Sequence, residues 1–319
     1  MPPNDPVPFP GLEALDLPRF VRYERGQVRD LIAVGDTLII TSSDRVSAFD
    51  RVLDLVPAKG EILSRLSSFW FASTQHIIEN HILRELTGRT VLVRRCEPLP
   101  VEVVIRGYLT GSAWRDYRAG RPVSGVRLPD GLRRNERLPE PILTPSTKEQ
   151  FGKHDRPIAR EELIERGLVS ESVWRRVEEA AHQLFQYGSA YAADRGLILV
   201  DTKYEFGMLD GALVLIDELH TPDSSRFWEV DSYEALLEKG AQPQMLDKEY
   251  LRLWLMERGF HGEGSAPPIP PEVIGELGNR YQSLFNRLTG ENFSPKHTSS
   301  EAERAAILSL LSEEGETTS

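Results

Sequence analysis

Apolar positions change their period several times along the chain, and each change predicts an element. Asp36 to Thr41 is a short apolar run behind Gly35, which predicts a buried strand. From Glu61 to Asn80 the spacing turns helical, with Ile62, Leu63, Leu66, Phe69, Trp70 and Ile77 on one face. Strand patterning returns over Thr90 to Arg95 and Val101 to Ile105, expected to be neighbours joined by a tight link near Pro98 and Pro100. Pro122, Pro129, Pro139, Pro141, Pro145 and Pro157 predict a long irregular stretch over 118–160. Ser170 to Ala193 is helical, with Val173, Trp174, Val177, Ala181, Leu184 and Phe185 on one face and Gly196 just beyond. Two apolar runs then flank Asp210-Gly211, a dipeptide suited to a two-residue hairpin turn. After about residue 247 the pattern is mainly helical. Asp247 is expected to cap a turn ended by Gly259, and a second helix starts at Pro271 and closes at Gly290. Four prolines among the first eight residues predict an extended arm, and the polar tail from Ser312 is expected to fray.

Composition narrows the function classes. At 319 residues the chain is about twice a ~150-residue domain, so two lobes are expected. An apolar fraction of 40% with 27% charged residues is globular rather than disordered. The net charge of −11 argues against a nucleic-acid coat or an anionic-membrane binder, while leaving room for a local basic pocket. A single cysteine, Cys96, excludes an internal disulfide and a thiolate metal site, and its place after an apolar strand predicts a buried structural thiol. No apolar run approaches the ~20 residues of a bilayer span, and the N-terminus lacks the basic start of a secretory signal. The cytoplasm is the expected compartment.

Zinc and hydrolase chemistry find no support. The seven histidines form no H-E-x-x-H, and no G-x-S-x-G, Walker A or G-x-G-x-x-G segment is present. What remains is a set of carboxylates and cations. Glu205, Asp217 and Glu218 lie on the arms of the Asp210-Gly211 hairpin. An unbulged hairpin sets Glu205 opposite Ile216 and Lys203 opposite Glu218, whereas a bulge at Gly207 would set Glu205 opposite Asp217. Neighbouring carboxylates need a bridging cation, and Mg²⁺ accepts one or two carboxylates plus phosphate oxygens. Spacing alone leaves open a second reading, in which the acids face water. Arg106-Gly-Tyr-Leu-Thr-Gly-Ser112 and Thr221-Pro-Asp-Ser-Ser-Arg226 each combine arginine, hydroxyl and turn residues that suit an anion or an ordinary surface turn.

Seven ordered blocks together resemble one family. They are Arg25-Gly-Gln-Val-Arg-Asp30, Ser43-Asp-Arg-Val-Ser-Ala-Phe-Asp50, Pro100 to Tyr108, Gly111-Ser112, Thr144-Pro-Ser-Thr-Lys148, Asp201-Thr-Lys-Tyr-Glu-Phe-Gly207 and Asp217 to Trp228. The chain resembles SAICAR synthetases from about residue 20 to 255, in the longer, yeast-like form of the family. The resemblance implies an α+β fold, with a β-rich nucleotide-binding lobe at 21–108, an α/β substrate and metal lobe at 109–255, ATP in a cleft between them and a helical segment at 256–319. Residues 1–20 would form the arm. It also implies an ATP-dependent ligase of purine synthesis that joins L-aspartate to the carboxylate of carboxyaminoimidazole ribonucleotide, through an acyl phosphate.

Roles follow by motif. Glu205 and Asp217 would hold Mg²⁺ on the ATP phosphates, and Lys203 would bind phosphate as a point charge. Gly26, Gln27 and Val28 would cover the phosphates with backbone amides. Arg106, Ser112 and Arg226 would grip the ribonucleotide 5′-phosphate, with Glu102 and Asp201 at its ribose. Asp44, Ser47, Lys148 and His154 would orient aspartate or the reacting carboxylate. One departure is Gln27, where the family usually has lysine. Two other readings stand beside this one, a kinase-like phosphotransferase and a non-catalytic nucleotide-binding protein. The first lacks H-R-D and D-F-G blocks, and the second is disfavoured by the presence of Lys203, Glu205 and Asp217. Oligomeric state is left open.

Overall fold

The computed structural model describes residues 7–148, 156–296 and 299–316. Among these residues the chain is α+β, and it divides into two compact units. The first unit holds residues up to 72, 81–95 and everything from 248; the second holds 73–80 and 96–247.

In the first unit, β1 (Glu24–Arg25), β2 (Arg29–Val34) and β3 (Thr37–Ser42) form a meander, followed by the hairpin of β4 (Arg45–Ala48) and β5 (Arg51–Leu55). Helix α1 (Lys59–Ser73) leads to β6 (Ile82–Glu85) and β7 (Thr90–Arg94). The main sheet has the order β1-β2-β3-β7-β6 and is antiparallel throughout.

In the second unit come β8 (Glu97–Tyr108), α2 (Gly111–Arg118), β9 (Arg137–Thr147), β10 (Arg156–Pro157), α3 (Arg160–Glu165) and α4 (Glu171–Ala193). They are followed by β11 (Leu197–Leu209), β12 (Ala212–Ile216), β13 (Ser225–Glu229) and α5 (Val230–Glu238). Its sheet runs β10-β9-β8-β11-β12, with β13 also paired to β11. Helices α6 (Glu249–Glu257), α7 (Pro271–Thr289) and α8 (Ser300–Glu316) return to the first unit.

The N-terminal arm is anchored rather than loose where it is described. Phe9, Leu12 and Leu15 share one apolar cluster with Ile32, Ile39 and Leu92 of the sheet and Ile307 and Leu310 of α8. Each such side chain fully buried is worth about 1.5–3 kcal/mol, so the two ends of the chain help to stabilise the first unit. Helix α8 runs to Glu316, so much of the polar tail expected to fray is helical. No helix among the described residues is long and apolar enough to cross a membrane.

Several expectations change. β7 and β8 are not neighbours: β7 pairs with β3 and β6, while β8 pairs with β9 and β11 in the other unit's sheet. The short link carries the chain from one unit to the other, so a lobe boundary at residue 108 would cut β8 away from its partners. Cys96, on that link, is half-buried rather than buried. The proline-rich stretch contains β9, eleven residues long. Its one outer partner, β10, is only two residues long, and prolines missing a donor are tolerated along such an edge. The N-cap position of α6 is Lys248 rather than Asp247, whose Oδ2 accepts from Phe227 N at 2.9 Å.

Helix α4 was legible and explains the sheet. Ser170 caps it, with Oγ accepting from Val173 N at 3.3 Å, and Trp174, Val177, Ala181 and Leu184 are buried along it. Strand β8 alternates, with Val101, Val103 and Ile105 buried and Glu102, Val104 and Arg106 less so. Gly107 shares the buried face, and a Cβ there would lie 3.0 Å from the Phe185 ring of α4. One face of the sheet therefore meets α4, and polar residues collect on the other.

A buried histidine joins α4 to this sheet. Nε2 of His220 lies 2.7 Å from Tyr204 Oη, and a Cβ at Gly188 would fall 2.3 Å from the His220 ring. Burial lowers the His220 pKa from 6.5 to about 3, so the folded protein keeps this imidazole neutral. The unfolded chain binds the proton near pH 6.5 and the folded one does not, so this contribution is complete above pH 6.5 and is lost toward pH 3. Denaturant unfolding at pH 7 and pH 5 should show a fall of roughly 1–2 kcal/mol from this group. His220→Leu is expected to flatten that dependence.

Candidate active site

The candidate chemistry lies on the sheet face opposite α4. Successive strand residues point to opposite faces, so Asp201, Lys203 and Glu205 of β11 share one. Their register partners on β8 are Arg106, Val104 and Glu102. Asp201 and Glu205 are four residues apart, roughly 13 Å along a strand. Two clusters therefore form, one at each end of this row.

At one end, Lys203 gathers three carboxylates. Its Nζ lies 2.5 Å from Glu205 Oε1, 3.2 Å from Glu102 Oε1 and 3.5 Å from Asp217 Oδ2. Lys148 Nζ pairs with Glu205 Oε2. Glu102 and Glu205 are direct register partners, a repulsive arrangement unless a cation lies between them, and Lys203 is that cation. Burial disfavours the Lys203 ammonium, but Glu205, Asp217 and Glu102 outweigh it and hold its pKa well above the ordinary value.

The hairpin delivers Asp217 in an unforeseen way. Asp210 and Gly211 adopt φ of 50° and 80°, as the predicted two-residue turn requires. Glu205 pairs with Ile216, so the bulge at Gly207 does not shift this side; the irregularity between Glu205 and Gly207 falls on the β8 side instead. Asp217 then takes φ of 68° and leaves the strand, so Lys203 does not face Glu218 across a ladder. Lys203 N donates to Ser224 O at 2.9 Å, and Glu218 accepts from Thr221 Oγ1.

Among the described residues, no three carboxylate, imidazole or thiolate groups converge as a complete metal cage. Glu205 and Asp217 are nevertheless hard oxygen donors drawn together by one lysine. That donor set fits Mg²⁺, which commonly takes one or two carboxylates and completes its shell with phosphate oxygens and water.

At the other end, two arginines share one carboxylate. Arg226 Nη1 lies 2.6 Å and Arg106 Nη1 3.2 Å from Asp201 Oδ2. Arg106 Nε donates to Thr144 Oγ1 at 2.9 Å and its Nη2 to Ser112 Oγ at 3.3 Å. Burial lowers the Arg106 pKa, Asp201 opposes that, and neighbouring Arg226 adds to it. Two guanidinium charges against one carboxylate leave a positive surplus suited to a bound dianion. Gly111, at φ of 57°, lets Arg226 approach: a Cβ would fall 2.5 Å from its Nη2. Thr144 pairs with Val104 across the β8–β9 ladder, and only that strand pairing brings its hydroxyl to Arg106.

The remaining candidates lie in the first unit or outside the described residues. The Gly26–Val28 turn joins β1 to β2, and Gly26 N donates to Arg29 O at 2.8 Å at its base. A Cβ on Gly26 would lie 2.6 Å from that oxygen, so only glycine closes this turn without movement. Asp44 is fully buried and accepts from Phe9 N, Gly60 N and Arg89 Nη1 at 2.8, 2.9 and 3.1 Å. These bonds give it a structural occupation. Ser47 is buried on β4, opposite Val52. His154 lies outside the described residues.

The sequence matches the model of the SAICAR synthetase family over residues 22–268. The chain belongs to the SAICAR synthetase family. A phosphoribosylaminoimidazole-succinocarboxamide synthase of Bacteroides thetaiotaomicron is 44% identical over 284 residues, 88% of this chain and 90% of the relative. One from Azobacteroides pseudotrichonymphae is 46% identical over 279 residues, 86% of each chain. Among solved structures, the SAICAR synthase from Saccharomyces cerevisiae complexed with SAICAR superimposes with a TM-score of 0.77 at 34% identity, covering 88% of this chain and 98% of the other. A SAICAR synthetase in complex with ADP gives 0.67 at 27% identity, covering 86% and 100%.

Proposed function

We infer that this chain is the ATP-dependent ligase of de novo purine synthesis that joins L-aspartate to the carboxylate of carboxyaminoimidazole ribonucleotide. The products are SAICAR, ADP and phosphate. The observation that carries this reading is the single row on β11. A two-arginine anion clamp on Asp201 stands at one end, and Glu205, which Lys203 joins to Glu102 and Asp217, stands roughly 13 Å along the strand. One substrate carrying a phosphate and a carboxylate at its two ends suits such a row.

The reaction has to overcome a poor acyl donor. A carboxylate oxygen of the ribonucleotide attacks the γ-phosphorus of ATP, ADP leaves, and an acyl phosphate forms. The amine of aspartate then attacks the acyl carbon, phosphate departs, and the nitrogen gives up its proton as the amide forms. Both steps bring several anions together, so positioning and charge neutralisation are the protein's main contributions. Arg106, Arg226 and Ser112 fix the 5′-phosphate. Asp201 aligns both guanidiniums and, with Glu102, is placed to meet the ribose hydroxyls. Lys203 holds Glu205 and Asp217 in place and can neutralise phosphoryl oxygens. Lys148 supplies a second cation beside Glu205, where the reacting carboxylate or aspartate would be oriented. Glu205 and Asp217 would hold Mg²⁺, which when bound offsets charge on the ATP phosphates. Gly26, Gln27 and Val28 contribute backbone amides to those phosphates. A cytoplasmic setting belongs to the same proposal.

An ADP-release assay with each substrate omitted in turn tests the assignment. Release is expected only when ATP, the ribonucleotide and L-aspartate are all present. Sustained release without aspartate would indicate a phosphotransferase instead.

A further inference from the structure

We propose that Arg45 is a positioning residue for ATP, which turns the Gly26–Val28 loop so that its amides face the nucleotide phosphates. The proposal rests on the reading that this loop binds those phosphates, and it explains how the loop works with Gln27 in place of a lysine.

The geometry begins with three successive carbonyls. Arg45 Nη2 donates to Gly26 O at 3.1 Å, and Arg45 Nε donates to Gln27 O at 3.0 Å. Ser43 takes the next one, with Oγ at 2.5 Å and N at 2.8 Å from Val28 O. In a trans peptide the C=O of one residue and the N–H of the next point in opposite directions. Drawing the Gly26 and Gln27 carbonyls toward Arg45 therefore turns the N–H groups of Gln27 and Val28 away from it. Neither amide has a protein acceptor among the described residues, and both residues are half-buried. Successive outward N–H groups in a turn make an anion-binding concavity.

Arg45 itself is not available to bind phosphate. It is 1% exposed, and all five of its N–H donors are occupied. Besides the two loop carbonyls, they meet Pro10 O and both oxygens of Asp30, at 2.6 Å to Oδ1 and 3.3 Å to Oδ2. Asp30 in turn accepts from Leu12 N at 2.8 Å. The cation is thus neutralised and fixed, and what it exports to the loop is orientation rather than charge. A lysine carries charge but cannot reproduce a planar fork that reaches two carbonyls and a carboxylate together.

The test compares ATP, ADP and adenosine binding to the full chain carrying Arg45→Lys, Ser43→Ala or Gly26→Ala, with melting temperatures recorded alongside. Arg45→Lys is expected to weaken ATP and ADP about ten- to a hundredfold, the scale of one charge-assisted hydrogen bond, and to leave adenosine within about twofold. Ser43→Ala should weaken ATP about threefold with the same selectivity, since the Ser43 N–H still holds Val28 O. Wild-type ATP affinity in Arg45→Lys, with a loss in Gly26→Ala, would overturn the role of Arg45 and keep the loop. Wild-type affinity in Gly26→Ala as well would remove the loop reading on which it rests. An equal loss for adenosine would reduce Arg45 to a general structural residue. If Arg45→Lys does not fold, Ser43→Ala decides by the same criteria.

Discussion

Glu205→Gln is expected to lower turnover by about three orders of magnitude or more while leaving the chain folded. The substitution keeps the shape of the side chain and removes one negative charge. Glu205 is 9% exposed and is held from both sides, by Lys203 at 2.5 Å and by Lys148. After the change Lys203 retains Glu102 and Asp217 at 3.2 and 3.5 Å, so its charge stays compensated within the site. Lys148 loses its partner but is 30% exposed at the side chain, where water takes over much of that role. The fold should therefore survive, with a melting temperature close to the parent's. Catalysis should not, because Glu205 is one of two carboxylates assigned to the ion on ATP. The decisive measurement is kcat against Mg²⁺ concentration. A large fall that added Mg²⁺ partly restores fits the assignment; turnover within tenfold of the parent at ordinary Mg²⁺ would remove it.

The parts of this site that could be read from sequence are those set by short-range rules. Alternation on β8 and β11 fixed which side chains share a face, so Asp201, Lys203 and Glu205 could be grouped without knowing any partner strand. Asp210-Gly211 announced a turn whose left-handed dihedrals few other pairs adopt readily. What stayed hidden depends on which strands meet. Nothing local says that β7 and β8 enter different sheets, or that β9 runs through Pro139, Pro141 and Pro145 because its neighbour beyond is so short. Of the two hairpin registers that the sequence leaves open, the unbulged one occurs, and the irregularity at Gly207 falls on the β8 side, since a long strand with partners on both edges can be disturbed on either one. The role of Arg45 is hidden in the sequence for a similar reason. Its partners are 15 to 35 residues away, and only the folded first unit brings Pro10, Gly26, Gln27 and Asp30 around one guanidinium.

Arg106→Ala is expected to raise the KM for the ribonucleotide by on the order of a hundredfold, with the KM for ATP nearly unchanged. Truncating one member of a buried, hydrogen-bonded charge pair typically costs about 2–5 kcal/mol in binding, which spans that range. The guanidinium touches Asp201, Thr144 and Ser112, so alanine removes a cation and also the link between a strand residue and the start of α2. Arg106→Lys should recover little of the loss, because an ammonium cannot span those three partners at once. Arg226→Ala should weaken the same substrate. The double variant should then lose less than the product of the two single losses, since both guanidiniums lean on Asp201 Oδ2 and are assigned to one phosphate. Strictly multiplicative losses would mean that the two arginines act on separate groups. An unchanged ribonucleotide KM in Arg106→Ala, measured with ATP saturating, would move the phosphate to another part of the molecule and leave the Asp201 cluster a purely structural ion pair.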